Sequence, residues 1–369
     1  MQFIRASRDA ILKPLSTVAG IVERRHTLPI LANVLLRKEG DAVSFLATDV
    51  EIQIQTTASL GAGKDVGATT VSARKLIDIL RALPEGPEVS ISVTNKKATI
   101  QAGKSRFALQ TLGAEEFPTV AVNDHFSASF TIAQKQLKHL FQMVHFAMAQ
   151  QDIRYYLNGL LMVTDGKLLR VVATDGHRLA YCQAELDGEP LARNEVIVPR
   201  KTVLELQRLL ADSDDPVQID VAANQVRLRF GDVEMVSKLV EGKFPDYQRV
   251  IPSGYKRAMV VSREALASSL GRASILTSDK FRGVRLTLAP GLLKIQTSNA
   301  EQEEAVEELE VDYDSEAIEI GFNVGYLQDV LGNLKTEKVQ IEFGDANTSA
   351  LLTVPGDTTF SYVVMPMRI

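Results

Sequence analysis

The chain has 369 residues, of which 45% are hydrophobic and 24% charged, with a formal net charge of −5 and a single cysteine. This length exceeds what one hydrophobic core usually organises, so we expect two or three domains. There is no apolar run long enough to span a membrane, no apolar signal core at the N-terminus and no possible disulfide within the chain. We therefore expect a cytoplasmic protein that is not basic over its whole surface.

Each third of the chain begins with a short strand followed by an amphipathic helix. The predicted pairs are strand 3–4 with helix 7–22, strand 128–132 with helix 135–146, and strand 257–261 with helix 262–275. Ser7 is a suitable N-cap for the first helix, and Pro14 is expected to kink or shorten it. The same opening thus occurs three times.

The rest of each third also follows one pattern. A two-strand unit comes next, at 29–37 with 43–48, 158–164 with 168–173, and 283–288 with 293–297. A second helix follows at 72–83, 199–210 and 323–334, and each third then ends in strand-like runs. Phe117-Pro118, Phe244-Pro245 and Met365-Pro366 close the three copies, at spacings of 127 and 121 residues.

These repeats predict an α+β protein of three domains, at residues 1–122, 123–252 and 253–369. Each domain should contain roughly eight strands and two helices, with both helices on one face of an antiparallel sheet.

A short motif in the second repeat, Ala173 to Leu179, brings Asp175, His177 and Arg178 within four positions and could indicate acid–base chemistry. However, Ala47-Thr48-Asp49 and Thr297-Ser298-Asn299 occupy the same place in the other repeats. The turn is therefore a feature of the repeat. The segment 176–179 is what the second copy adds, and we interpret it as a recognition surface.

Positive charge is concentrated on the six predicted helices. Counted with their flanking residues, over 7–25, 72–82, 133–146, 199–210, 262–276 and 323–335, these helices carry a net charge of +9, so the rest of the chain carries −14. Amphipathic helices ordinarily expose charge of mixed sign, which is the simpler alternative. The shared sign favours one basic surface for a polyanion, and because no base-reading motif accompanies it, contacts should be to phosphates.

Four strings carry a specific resemblance: residues 154–159, 173–179, 280–285 and 362–369. With the three repeats, they make the chain similar over its whole length to the bacterial DNA polymerase III β subunits, the replicative sliding clamps. The resemblance implies two three-domain crescents that close head to tail into a ring, with helices lining the hole and sheets outside.

The number of helices is consistent with a dimer. At a packing distance of ~10 Å, six helices enclose a hole under ~10 Å wide, which is too narrow for a DNA duplex. Twelve helices leave roughly 28 Å. One chain is therefore too small to form the ring, and two suffice.

The resemblance also implies three sets of site residues. The DNA-facing residues are Arg25, Arg74, Arg81, Gln151, Tyr155, Tyr156, Arg200 and Lys201. The dimer interface joins Arg106, Phe107 and Leu109 of the first domain to Ile275, Leu276, Glu301, Glu303 and Glu304 of the third. A groove for partner peptides is formed by Leu157, Thr174, Gly176, His177, Arg178, Leu179, Pro245, Arg249, Val250, Tyr326, Ser349, Val363, Met365, Pro366, Met367 and Arg368.

The partners implied are duplex DNA of any sequence, a second copy of the chain, a separate clamp loader, the polymerase III catalytic subunit and other proteins with clamp-binding motifs. The last group includes translesion polymerases, mismatch-repair proteins and ligase. No cofactor, metal or catalysis is implied. An enzyme using Asp175 and His177 is one alternative, and a passive oligomeric scaffold without DNA is another. The charge on the helices argues against the scaffold.

Overall fold

The computed structural model describes residues 1–23, 28–61, 63–94, 96–278 and 282–369. The first repeat contains eight strands and two helices. Its strands β1 to β8 are Gln2–Ser7, Asn33–Glu39, Ala42–Thr48, Ile52–Ser59, Val66–Ser72, Glu88–Thr94, Lys97–Ala102 and Ser105–Leu112. Its helices are α1, Arg8–Ala19, and α2, Ala73–Ala82.

The second and third repeats follow the same order of elements. Strands β9 to β16 are Ala128–Ala133, Gly159–Gly166, Leu168–Thr174, Arg178–Glu185, Leu191–Pro199, Pro216–Val221, Gln225–Phe230 and Val233–Lys238. Helices α3 to α5 are Gln134–Val144, Arg200–Leu209 and Tyr247–Val250. Strands β17 to β24 are Arg257–Ser262, Gly283–Ala289, Leu292–Ser298, Glu304–Glu310, Ile318–Asn323, Lys338–Phe343, Ala350–Val354 and Asp357–Val364. Helices α6 and α7 are Arg263–Ala273 and Val324–Asn333.

The predicted helix starts are correct to within a residue or two. The Ser7 hydroxyl accepts a hydrogen bond from the Ala10 N–H at 3.3 Å, and Ser72 and Ser262 cap α2 and α6 in the same way. Pro14 lies buried inside α1, which continues past it but ends at Ala19 rather than at 22. The one-turn helix α5 was not predicted.

The buried face of each helix is the apolar one that its spacing predicts. In α3, for example, Leu137, Leu140, Phe141 and Val144 are all almost completely buried. Burying a side chain of this size contributes about 2 kcal/mol of transfer free energy. The helices are therefore held by packing, and their charged faces remain available.

All strand pairings among the described residues are antiparallel, and they repeat. The eight strands of every repeat form two sets of four. In one set the order is first, sixth, seventh, eighth, and in the other it is fifth, second, third, fourth. Successive repeats join through the fourth strand of one and the eighth of the next. These joints are β4 with β16, where Ile54 faces Met235, and β12 with β24, where Ala180 faces Tyr362.

This rule leaves two strands without such a partner in the described chain. They are β8 of the first repeat and β20 of the third, which ends the order β20-β19-β18-β21. Strand β8 pairs with β7 along its length but with β5 only at Thr111 and Leu112. Both strands therefore present unpaired backbone groups along much of one edge.

Contacts divide the chain into two compact units. One comprises residues 1–135 and 208–239, and the other residues 136–207 and 240–369. The three-domain boundaries near 122 and 253 remain a prediction. Within the described residues, no helix is long and apolar enough to cross a membrane.

Candidate partner groove, subunit edges and DNA-facing residues

The turn that begins the candidate groove is built by its own side chains. The Thr174 hydroxyl donates to the Arg178 carbonyl at 2.6 Å and accepts from the Gly176 N–H at 3.1 Å. The Asp175 carboxylate accepts from the backbone N–H groups of His177 and Arg178, at 2.9 and 3.1 Å. Gly176 has φ +91°, a left-handed conformation that favours glycine.

The first repeat contains the same turn. Thr48 and Asp49 make the corresponding bonds, including Thr48 to the Ile52 carbonyl at 2.8 Å and Asp49 to the Ile52 N–H at 2.7 Å. Val50 occupies the left-handed position there, with φ +71°. Because the bonds recur without a histidine, the carboxylate of Asp175 serves the turn, as its recurrence in the sequence predicts.

Arg178 is the central side chain of the groove wall. Only 10% of it is exposed, and its guanidinium donates to Asp175 at 3.1 Å, to Asp329 at 2.6 Å and to the Phe146 carbonyl at 2.7 Å. Its Cζ also lies 4.4 Å from the centroid of the Tyr326 ring. One cation therefore links β12 of the second repeat to α7 of the third.

The surroundings keep this guanidinium charged. Burial lowers the pKa of Arg178, but Tyr362 and the carboxylates of Asp329 and Asp175 together raise it by more. The pKa of Arg178 therefore lies above its ordinary value. Burial raises the pKa of Tyr362, whose hydroxyl donates to the Tyr326 carbonyl at 2.8 Å.

His177 lies at the exposed rim of the same wall. Its ring stacks on Tyr326, with centroids 6.5 Å apart and planes 23° from parallel. Its carbonyl accepts from the Met365 N–H at 2.9 Å, which fixes the start of the C-terminal segment. The imidazole makes a ring contact and the Asp175 carboxylate is used by the backbone, so the two do not form an acid–base pair.

The floor of the groove is an apolar cluster shared by the second and third repeats. Leu179 and Val363 face each other across β12 and β24, and Phe244, Tyr247 and Leu351 pack with them. Leu157 is likewise buried. Leu157, Leu179 and Val363 are each only 1% exposed, so they lie beneath the candidate groove and support it.

The remaining predicted groove residues lie around this floor. Pro245, Arg249 and Val250 are exposed at and beside α5, and Val250 is 44% exposed. Ser349 precedes β23, whose first residue Ala350 pairs with Val364. The exposed or half-buried C-terminal residues are Met365, Pro366, Met367 and Arg368, and the Met367 N–H donates to the Gly321 carbonyl at 2.8 Å.

Three residues of the wall were missed from the sequence. Asp329 and Phe146 bind Arg178, and Arg154 donates to Asp152 at 2.9 Å and to the Asp175 carbonyl at 3.2 Å. The hydrogen bond from Arg154 lowers the pKa of Asp152 to about 2. No spacing in the sequence pairs residues so far apart. Asp329 is the one charged residue of α7, and this was a weak indication of its role.

The predicted DNA-facing residues are distributed over both compact units. Arg74 and Arg81 are exposed on α2 in the first, and Arg74 lies 3.9 Å from Asp78. In the second, Tyr155 is 74% exposed and Gln151 is exposed with φ +55°. Arg25 lies outside the described residues.

The other DNA-facing candidates are less exposed. Tyr156 is partly buried against the groove-floor cluster, and Lys201 is half-buried at the start of α4. Arg200 is also half-buried, donates to the Met148 carbonyl at 3.3 Å, and has its pKa lowered by burial and by Arg178.

Six of the eight predicted interface residues lie on, or just before, the strands β8 and β20, and Ile275 and Leu276 follow helix α6. Arg106, Phe107 and Leu109 belong to β8, Glu304 begins β20, and the others are Ile275, Leu276, Glu301 and Glu303. Strand register makes Phe107 equivalent to Met235 and Tyr362 of the other repeats. Those two side chains are 0% exposed, whereas Phe107 is 37% exposed. Phe107 therefore lacks the covering strand that its equivalents have.

Three copies of one unit, each with two helices of ten or more residues and eight antiparallel strands, define the class of DNA-clamp proteins. Family models for the N-terminal, central and C-terminal domains of the DNA polymerase III beta subunit match residues 1–121, 131–246 and 248–368.

Individual relatives are similar over nearly the whole chain. The beta sliding clamp of Pseudomonas putida is 49% identical over 362 residues, and that of Escherichia coli is 44% identical over 363; each alignment covers 98% of both chains. A crystal structure of the DNA polymerase III subunit beta from Pseudomonas aeruginosa is 48% identical, with a TM-score of 0.95 over all of both chains. The chain belongs to the DNA polymerase III beta subunit family, the beta sliding clamps, and is a processivity clamp of DNA replication.

Proposed function

We propose that the chain works as a head-to-tail homodimeric ring around duplex DNA and tethers the replicative polymerase by topology. The observation that carries this proposal is that β8 and β20 each lack, within the described chain, the partner strand that their equivalents in the other repeats have. Within the chain, every other fourth strand pairs with an eighth strand of the next repeat. Two copies related head to tail can satisfy the same rule, and the ring closes after two.

The repeat register predicts how the two copies pair. At the joints inside the chain, Ile54 faces Met235 and Ala180 faces Tyr362. The equivalent residues are Ala305 in β20 and Phe107 in β8. Phe107 of one copy should therefore face the partner's Ala305, and Ser105 the partner's Glu307. This pairing would cover Phe107.

The charges at the two edges support this arrangement. Strand β8 and the turn before it carry Lys104 and Arg106 and no acid. Strand β20 carries Glu304, Glu307, Glu308 and Glu310. Opposite signs favour this head-to-tail pairing, and like signs disfavour β20 pairing with another β20.

DNA contacts would be to phosphates and weak. The exposed cations on α2, Arg74, Lys75 and Arg81, present no aromatic platform or base-reading motif. Contacts between such exposed charges and phosphates are screened by salt, and their strength does not depend on the DNA sequence. Retention would then depend on the closed ring, and weak contacts would leave it free to slide.

The groove would receive short peptides from the clamp loader, the polymerase III catalytic subunit, translesion polymerases, mismatch-repair proteins and ligase. An apolar floor with flexible methionines at its edge, Met365 and Met367, suits partners whose anchors differ in shape. The subunit would itself be non-catalytic and act in the cytoplasm, with ring opening supplied by the loader.

A cysteine pair tests the proposed joint. The chain's single cysteine, Cys182, is buried. With Ser105→Cys and Glu307→Cys, oxidation should give a covalently closed dimer, since facing residues lie within disulfide reach. The product should be a dimer that resists denaturant on a non-reducing gel.

The matched control combines Ser105→Cys with Leu309→Cys, which displaces the partner by two positions and beyond disulfide reach. Equal crosslinking of both pairs, or none in a protein that sediments as a dimer, would refute the proposed register.

A further inference from the structure

A cavity of about 540 Å³ lies in the first compact unit, where β4 of the first repeat pairs with β16 of the second. Its walls are the turn after β3, the linker at residues 118–123 that follows Phe117, and the ends of β15 and β16. The cavity is separate from the partner groove, which belongs to the second unit.

The repeats relate this cavity to the proposed partner groove. Four residues on its wall hold positions equivalent to groove residues: Thr48 to Thr174, Val50 to Gly176, Pro118 to Pro245 and Lys238 to Met365. The first two equivalences rest on the shared turn bonds, and the last on the register of β16 and β24. Interpreting the cavity as a peptide site therefore rests on the proposed function of the groove.

Its linker is held from one side by two glutamine side chains. Gln53 accepts from the Val120 N–H at 2.9 Å, and Gln225 accepts from Asn123 and donates to the Ala121 carbonyl. No described residue accepts a hydrogen bond from the N–H groups of Thr119, Ala121 or Val122. Backbone N–H groups without an acceptor are groups with which an added peptide strand can pair.

Charge identifies the peptide's chemistry. Of the described residues that line the cavity, Lys238 alone is charged. Its Nζ lies 3.1 Å from Glu51, and both side chains are about half exposed, at 48% and 61%. Such an ion pair contributes little and uses one of the three donors of the ammonium, so a peptide carboxylate can bind to Lys238 beside Glu51.

We propose that this cavity binds a short extended peptide that carries a carboxylate beside apolar side chains. The carboxylate pairs with Lys238, and the apolar side chains lie against Val50, Pro118 and Val120. The clamp thus has a second class of docking site, selective for acidic peptides because the equivalent of Met365 is a lysine.

The test is a titration of the full-length protein, labelled at valine methyl groups, followed by NMR. The probes are acetyl-Val-Asp-Val-amide and its neutral isostere acetyl-Val-Asn-Val-amide. We expect saturable shifts at Val50, Val120 and Val122, with the acidic peptide binding about fivefold more tightly, the order of a half-exposed ion pair. Lys238→Gln should abolish that preference while leaving the neutral peptide's affinity unchanged.

Two controls separate this proposal from that of the groove. Deleting residues 365–369 should leave these shifts intact while abolishing polymerase stimulation. Equal affinity of the two peptides for the unaltered protein, absence of saturable shifts at these valines, or shifts only at Val250 and Val363 would overturn the proposal. Polymerase stimulation is measured in a separate assay. If the deletion leaves stimulation unchanged, the groove proposal fails, whatever the shifts at these valines show.

Discussion

Arg178 and His177 are neighbours with different expected roles: Arg178 should stabilise the fold, and His177 should contact partner peptides. Arg178 is nearly buried and bonded to two carboxylates and a carbonyl, whereas His177 is exposed and makes a ring contact. Arg178→Ala leaves the Phe146 carbonyl and the Asp329 carboxylate without this donor and removes one of the donors to Asp175, so we expect a loss of about 3 kcal/mol in the free energy of unfolding. Urea unfolding measures this.

His177→Ala is the matched control, since it removes an exposed ring one position away. It should change the unfolding free energy by less than about 0.5 kcal/mol while weakening partner-peptide binding. If His177→Ala destabilised the fold as much as Arg178→Ala, the roles assigned to the two side chains would be wrong.

His145 should make stability depend on pH. Burial lowers the pKa of its imidazole, which lies 3.2 Å from the carbonyls of Phe141 and Gln142. Because the folded state then binds fewer protons than the unfolded state, stability should fall as pH drops through the unfolded pKa of about 6.5. His145→Gln should show a smaller decrease between about pH 7.5 and about pH 5.5. The same decrease in both proteins, measured by urea unfolding, would rule out this role.

The helices and strands were largely predictable, because apolar spacing, serine caps and turn glycines act locally. Gly166, for example, has φ +60° in the hairpin predicted at that position. The strand pairs that join the repeats, such as β4 with β16, were not predictable, because partners far apart in sequence leave no periodic signal. For the same reason the sequence located Arg178 but not Asp329, and nothing in it indicated the short helix α5.

Helix α2 should contribute phosphate contacts that can be counted. Arg74 and Arg81 are exposed cations on this helix. If each neutralises one phosphate, replacing both with glutamine should reduce the slope of log affinity against log salt by about 0.9 for each arginine replaced. Fluorescence anisotropy with a short duplex, repeated over a series of salt concentrations, measures the slope.

Arg229→Gln provides the control for this series, since Arg229 lies in β15 and pairs with Asp220 at 3.1 Å. Its slope should match that of the unaltered protein. An equal change in the Arg229→Gln protein would mean that the effect reflects net charge rather than phosphate binding by α2.

At the scale of the whole molecule, two copies would form one ring. The closed ring, rather than tight binding to phosphates, would keep the protein on DNA. The edges β8 and β20 and the basic helices each serve this end: the first would close the ring, and the second would let it slide. A closed ring cannot leave a circular duplex sideways, however weak its phosphate contacts are. Its lifetime on DNA should therefore depend on whether the DNA has ends.

The most direct measurement is retention of the loaded protein on nicked circular DNA, followed by gel filtration before and after a restriction enzyme linearises the circle. We predict that the protein stays with the circle and dissociates once the DNA is linear, because the ring slides off the ends. Equal retention on circular and linear DNA would contradict the ring.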